Sequence, residues 1–358
     1  MYEHEGLHDM FFIMLYGGVA MMAVLAGLYL LLRRSNALAA DVVSSRELRL
    51  WAAAFMASVA ASHVWWAMLG TVWLTDDRLV RNIIAITLDR VTFVPLMMCV
   101  LLRMLQDCKR QLWPIAVAMV PFVVIAIISV TKHSNVFEWY IEIYSLLLAL
   151  IFILYYIHAL RQYGHWLHGN FADLEHKEVW QSLVLLVCIL LAYVAYTTNE
   201  GAIATEYLAQ ILTLVIISFV VWRVETIQML EVDETSEGTE MNDPITDLLR
   251  EHCEQTQLYL QHDLTLAQLA IAIGTNRTYL GTYFAMRGEN YNTYINNLRI
   301  DHFIRLYNNA MAQGHNLTAK ELAIGCGYRS YSTFSVAFKQ RMGQTVTQWM
   351  KGHDLPYA

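Results

Sequence analysis

The chain has 358 residues, of which 57% are hydrophobic and only 15% charged, with a formal net charge of −7 and a mean hydropathy of +0.38. Ordinary soluble domains carry about 25% charged residues, so this composition excludes a chain that is soluble throughout, and the length leaves room for two domains. The charge is unevenly placed: residues 1–230 hold 14 Lys and Arg against 17 Asp and Glu, residues 244–358 hold 10 against 8, and the 13 residues between hold six acids and no base.

The chain opens on the acidic stretch "MYEHEGLHD", and the apolar run that follows is too long for a signal-peptide core, so no cleavable signal is expected. About 20 apolar residues span a bilayer. Seven runs qualify, at roughly 10–32, 50–74, 79–105, 112–131, 137–160, 179–198 and 203–223, joined by short loops. Loops rich in Lys and Arg stay inside the cell. Arg33, Arg34, Arg46 and Arg49 follow the first run, Arg103, Lys109 and Arg110 the third, Arg161 and Lys177 the fifth, and Arg223 ends the last. The alternate loops carry fewer. An odd helix number and this bias agree on an N-terminus outside and residues 224–358 in the cytoplasm.

Ionisable groups inside a membrane are functional candidates. The second run holds His63, Trp65 and Trp66, the third Asp89 and Arg90, the fifth Glu142, and the seventh Glu206, Tyr207 and Gln210. Two readings stay open. His63, Trp66, Asp89, Arg90 and Glu142 line a pocket on the outer side that senses a small polar or amphipathic ligand, or the charges pair between helices and hold the bundle together. Adjacent residues point apart on a helix, so Asp89 and Arg90 each need a separate partner.

The five cysteines form no CxxC pair and are odd in number, which argues against a disulfide framework or a zinc site. His165 and His168 have HxxH spacing but lack further ligands, and are expected in a solvated loop. Neither metal nor cofactor is expected. From Arg223 the chain reads first as a continuation of the seventh helix and then, over 231–243, as an acidic tether.

The last segment repeats itself. Leu269, Ala270 and Gly274 recur as Leu322, Ala323 and Gly327, and Leu280 and Phe284 recur as Phe334 and Phe338, with one extra residue in the second turn. Thr265 with Gln268, and Thr318 with Glu321, are capping boxes. Each unit is expected to be a helix, a turn at glycine and a second helix with a polar outer face. That leaves Arg277, Thr278 and Thr282 outward in one copy and Tyr331, Ser332, Thr333 and Val336 outward in the other, on helices able to enter a major groove. Between them, 291–311 reads as one helix with Tyr291, Ile295, Leu298, His302 and Leu306 along or near one face. Arg277, Arg299, Arg305, Lys320, Arg329, Lys339 and Arg341 are the available cations, with Arg329 and Lys339 completing the expected DNA-binding set.

Residues 245–351 resemble the DNA-binding domain of the AraC/XylS family, on Leu322, Ala323, Gly327, Tyr328, Phe334, Ser335, Phe338, Lys339 and Gly343, with Arg299 in the linking helix. The resemblance implies two helix–turn–helix units joined by a long helix, reading promoter DNA. Val336 departs from a frequent Arg, Val346 from a usual Pro, Met350 from a frequent Arg and Phe303 from a usual Ala, which puts the base preferences in doubt.

The expected fold is all-α: a polytopic seven-transmembrane-helix bundle (1–230), an acidic linker (231–243) and a cytoplasmic double helix–turn–helix domain of AraC type (244–358). The expected function is a membrane-embedded bacterial transcription regulator, not an enzyme, whose partners are double-stranded DNA, membrane lipid, a small-molecule ligand, a second copy of the chain and RNA polymerase. The alternative is a transporter or intramembrane enzyme with a regulatory DNA-binding tail. No HExxH, GxSxG or phosphate-binding loop supports catalysis.

Overall fold

The computed structural model describes residues 9–33, 36–39, 42–70, 77–134, 136–172, 174, 177, 179, 181–197, 203–230, 245–313 and 318–353. The acidic tether of 231–243 lies outside them. The described elements are helical, and among the described residues the only β-bridge joins Phe171 to Thr265. The chain forms two compact units, Met1–Arg161 with Val179–Met229, and Gln162–Glu178 with Leu230–Ala358.

The first unit holds α1 (Met10–Leu32), α2 (Arg46–Gly70), α3 (Arg78–Arg103), α4 (Trp113–Lys132), most of α5 (Glu138–Asn170), α6 (Ser182–Thr197) and α7 (Ile203–Thr226). Six of these, all but α6, are long and apolar enough to cross a membrane. The sixth expected run appears as α6, whose 16 residues rise only about 24 Å. Asp9 caps α1 and Asp77 caps α3 through their carboxylates. The inner face of α1 is Phe12, Val19, Ala23, Gly27 and Leu30, a helical spacing. At Gly27 an added Cβ would stand 3.4 Å from Met56 Cβ, so glycine lets α1 and α2 approach closely. The outer face of α1, with Phe11, Met14, Leu25, Leu28 and Leu32 exposed, is as apolar as the inner one. Such a face suits hydrocarbon and not water.

The expected cytoplasmic arginines are not all free. Arg49 is 7% exposed. Its guanidinium donates to Leu30 O at 3.1 Å and Asn36 Oδ1 at 3.0 Å, with Arg33 O a third acceptor, and it lies 3.9 Å from Glu225 Oε1. Glu225, 1% exposed, accepts from the backbone amides of Ala37 and Leu38 at 2.9 and 3.0 Å and from the Tyr29 hydroxyl. This network ties the α1–α2 connection to the end of α7.

In the second unit α8 (Ile245–Leu249) runs into a π-helical turn, and α9 (Leu266–Ala272), α10 (Arg277–Met286), α11 (Tyr291–Ala312), α12 (Ala319–Gly325), α13 (Tyr331–Met342) and α14 (Val346–His353) follow. Two cores form on either side of α11. Tyr291 and Ile295 join the first, with Leu269, Ala270, Leu280 and Phe284. Ile300, Phe303 and Tyr307 join the second, with Leu322, Ala323, Phe334, Phe338 and Trp349. The expected stripe of α11 is corrected in its second half, because Phe303 and Tyr307 are buried whereas His302 and Leu306 are half-buried. Phe303 is central here: its ring lies 4.5 Å from Phe334, 5.7 Å from Phe338 and 6.2 Å from Trp349.

The stretch after residue 160, expected as a loop, is instead the end of α5. Tyr163 and Leu167, both 1% exposed, lie one turn apart, and the Tyr163 hydroxyl donates to Lys177 O at 2.9 Å. His168 Nδ1 sits 2.8 Å from Gly164 O, an ordinary helical contact. Ala172, just past the end of α5, belongs to the same second-unit core as Leu249, Leu269 and Leu280.

Candidate nucleic-acid interface

Each helix–turn–helix is built locally. The side chains of Thr265 and Gln268, and of Thr318 and Glu321, close reciprocal capping boxes at the starts of α9 and α12. The backbone and hydroxyl hydrogen bonds from Thr318 hold the Glu321 carboxyl below the usual range. The turns run from Ile273 to Asn276 and from Cys326 to Ser330, one residue longer in the second. Gly274 and Gly327 take φ of +76° and +87°, a region that costs other residues. At Gly327 an added Cβ would also stand 2.6 Å from Leu260 O. Asn276 and Ser330 then cap α10 and α13 through Tyr279 N and Thr333 N.

The second helix of each unit turns its apolar side inward, with Leu280 and Phe284, or Phe334 and Phe338, at most 3% exposed. On the outer side, Thr278, Thr282, Ser332, Val336 and Lys339 are exposed, and Arg277, Tyr331 and Thr333 are half-buried. The expected reading residues therefore fall on the outer faces of two helices held by one rigid α11.

The cations divide. Lys320 and Lys339 are exposed. Arg329 donates to Asp263 Oδ2 at 2.6 Å, and Arg341 to Asp301 Oδ1 at 2.7 Å. Arg277 Nε donates to Asn170 Oδ1 at 2.8 Å. Arg299, expected among the available cations, is 0% exposed. It donates to Tyr259 O and Gln261 O, both at 2.7 Å, and its guanidinium lies 5.3 Å from the centre of the Tyr328 ring. It is a structural residue that pins the 259–261 turn and the second core together. Burial pushes the Cys253 and Cys326 thiols up to about 12, which marks them as packing groups rather than nucleophiles or metal ligands.

Residues 254–352 match a family model described as a helix-turn-helix domain. The domain is of AraC type, a DNA-binding regulator domain and not an enzyme. No curated protein and no solved structure matches the chain.

The first unit carries a separate cavity of about 290 Å³ between its helices. Its wall is mostly apolar and includes His63, Trp66, Asp89 and Arg90 of the expected sensing set, together with Tyr16, Glu206 and Gln210. Glu142 is exposed and is not on this wall. The Asp89 carboxylate accepts from Ser62 Oγ at 2.6 Å, Trp65 Nε1 at 3.1 Å and Trp66 Nε1 at 2.7 Å. His63 Nδ1 donates to Val59 O at 2.8 Å, and its Nε2 lies 2.9 Å from the Gln210 side-chain amide. The Tyr16 hydroxyl donates to His63 O at 2.9 Å. Arg90 sits 5.9 Å from the centre of the Phe122 ring. So Asp89 and Arg90, adjacent in sequence, do find different surroundings.

Proposed function

We propose that the chain is a multi-pass membrane transcription regulator that reads specific promoter DNA through its double helix–turn–helix and adjusts that reading to a small amphipathic ligand held among its membrane helices. The observation that carries the sensing half is Asp89. A carboxylate in the bilayer core costs about 2.5–3.5 kcal/mol or more, yet here it sits on the wall of a cavity, gathered by two indole N–H groups and a hydroxyl. A buried polar cluster in an otherwise apolar cavity is the usual form of a small-molecule site. The DNA half is supported by exposed polar residues on both second helices, at matching places in two repeats.

The loop charges favour an outside N-terminus and a cytoplasmic helix–turn–helix domain. A second copy of the chain and RNA polymerase are the partners such a regulator would use. Genome-wide DNA occupancy of the full-length protein, with and without candidate amphipaths, tests the reading. Discrete promoter sites whose occupancy changes with one ligand support it. Uniform, unchanging occupancy would count against both sequence reading and sensing.

A further inference from the structure

Arg90 stands near the middle of α3, about 18–20 Å of helix rise from either end, beyond the reach of a snorkelling side chain. Ionic groups inside a protein are ordinarily held by partners, and its neighbour follows that rule. The Asp89 carboxylate turns to α2 and accepts from Ser62, Trp65 and Trp66. Arg90 turns the other way, to α4, where its guanidinium lies 5.9 Å from the centre of the Phe122 ring. Among the described residues that ring is its one partner: no group accepts a hydrogen bond from the guanidinium and no carboxylate pairs with it. A ring face offsets part of the charge but leaves the planar fork of N–H donors unused. A half-buried guanidinium with donors to spare thus stands on the wall of a mostly apolar cavity.

The rest of that wall is ordered along the helix. Arg90, Val94, Met97 and Leu101 follow at the spacing of one helix face, and all four line the cavity. From Arg90 to Leu101 the stripe rises about 16 Å, charged at one end and apolar beyond. Leu148 and Phe152, one turn apart on α5, line the same cavity. Its volume of about 290 Å³ lies at the small end for ligand pockets, which suits one apolar chain and not the two of a phospholipid.

We propose that the cavity takes a single-chain amphipathic carboxylate, its head held by Arg90 and its chain laid along Val94, Met97 and Leu101, an inference that rests on the ligand-sensing reading above. A carboxylate matches the guanidinium because two parallel N–H···O bonds form at once. An aliphatic chain matches the stripe because its burial is favourable in proportion to apolar area. The two acids of the wall set the orientation. Asp89 is turned to α2 and Glu206 belongs to α7, so both repel an anionic head from that side and leave Arg90 as its anchor.

The test uses the full-length protein in nanodiscs of zwitterionic lipid, with radiolabelled decanoate at a pH where it is ionised and with binding to empty discs subtracted. Decanol and decyltrimethylammonium, which share the chain but not the head, are the competitors. Decanoate is expected to bind about 10- to 100-fold more tightly than either, the worth of hydrogen bonds to a charged group. Arg90→Gln should abolish that preference while decanol still binds, which shows the cavity intact, and Arg90→Lys should keep part of it. Decanoate carrying a diazirine at its chain end should label the wild-type protein near Leu101 or Phe152, a result that does not depend on the folding of any variant. Decanol or the ammonium binding as tightly as decanoate, or Arg90→Gln retaining the preference, overturns the anionic head and leaves an amphipath site standing. Saturable binding of none of the three, or labelling outside the cavity, overturns the amphipath site and this inference with it.

Discussion

The guanidinium of Arg299 stacks on the ring of Tyr328 and at the same time hydrogen-bonds the carbonyls of Tyr259 and Gln261. One side chain of the linking helix thus ties the turn before the first unit to the turn of the second. Arg299→Lys keeps the charge but loses the planar fork and the stack, and leaves buried carbonyls short of a donor. A destabilisation of about 2–4 kcal/mol is expected, measured by thermal unfolding in detergent. At low temperature the salt dependence of DNA binding should be unchanged, because Arg299 is buried away from any phosphate. A reduced salt slope with unaltered stability would place Arg299 at the DNA instead.

Lys339 and Ser332 make opposite predictions on one helix. Lys339→Ala removes an exposed cation at the far end of α13 and should lower the slope of log K against log salt by about 0.9, weakening all sequences alike. Ser332→Ala, at the start of α13, should leave the slope alone and relax discrimination at one base position. Competition binding with single-base variants at two salt concentrations separates the two. Equal effects on all sequences from Ser332→Ala would remove it from base reading.

Thiol chemistry reports both packing and topology. Cys108 is exposed, whereas Cys253 and Cys326 are buried with thiols pushed up to about 12. A membrane-impermeant maleimide should label Cys108 in inside-out vesicles and not in intact spheroplasts, and should leave Cys253 and Cys326 unmodified until the protein is unfolded. Labelling of Cys108 in intact spheroplasts would reverse the proposed orientation.

Asp89 separates sensing from structure. Asp89→Asn keeps the shape but removes the charge, and its single amide oxygen can accept from Ser62 and Trp65 or from Trp66, not from all three. For a sensing role, membrane abundance stays normal and ligand-dependent transcription is lost. For a purely structural role, abundance falls and the surviving protein responds normally. Quantitative immunoblotting beside a promoter reporter reads both. Normal abundance with a normal response would exclude Asp89 from either role.

The pH dependence of the second unit should carry a signature of Glu321. Its carboxyl is held low by Thr318. A depressed carboxyl contributes stability above its unfolded value of about 4.3, and that contribution is lost as pH falls through the lower folded value. Glu321→Gln should therefore flatten the acid limb of the unfolding curve below about pH 5. An unchanged acid limb would assign the loss to other carboxylates.

The helices and the two helix–turn–helix units were legible in the sequence because their signals are local. Apolar runs of bilayer length, threonine capping boxes and glycines in the turns act within a few residues; the capping boxes and turn glycines sit where expected, and six of the seven expected runs appear as helices long and apolar enough to cross a membrane. The doubled pattern of Leu269, Ala270 and Gly274 with Leu322, Ala323 and Gly327 marked the two cores in the same way. What only the tertiary structure decided lies between segments far apart in the chain. Glu142 looked equivalent to Asp89 as an acid in a span, but its helix turns it outward while α3 turns Asp89 to the cavity. Arg299 read as a free cation, and burial against residues 259–261 and 328 made it structural. The end of α5 read as a solvated loop, because Gly164, Gly169 and the histidines lack a helical signal. Tyr163 and Leu167 are buried there, the Tyr163 hydroxyl donates to Lys177 O, and Asn170 meets Arg277 across 107 residues of chain. Periodicity reports which face of an element is apolar, but which element covers that face is settled by packing.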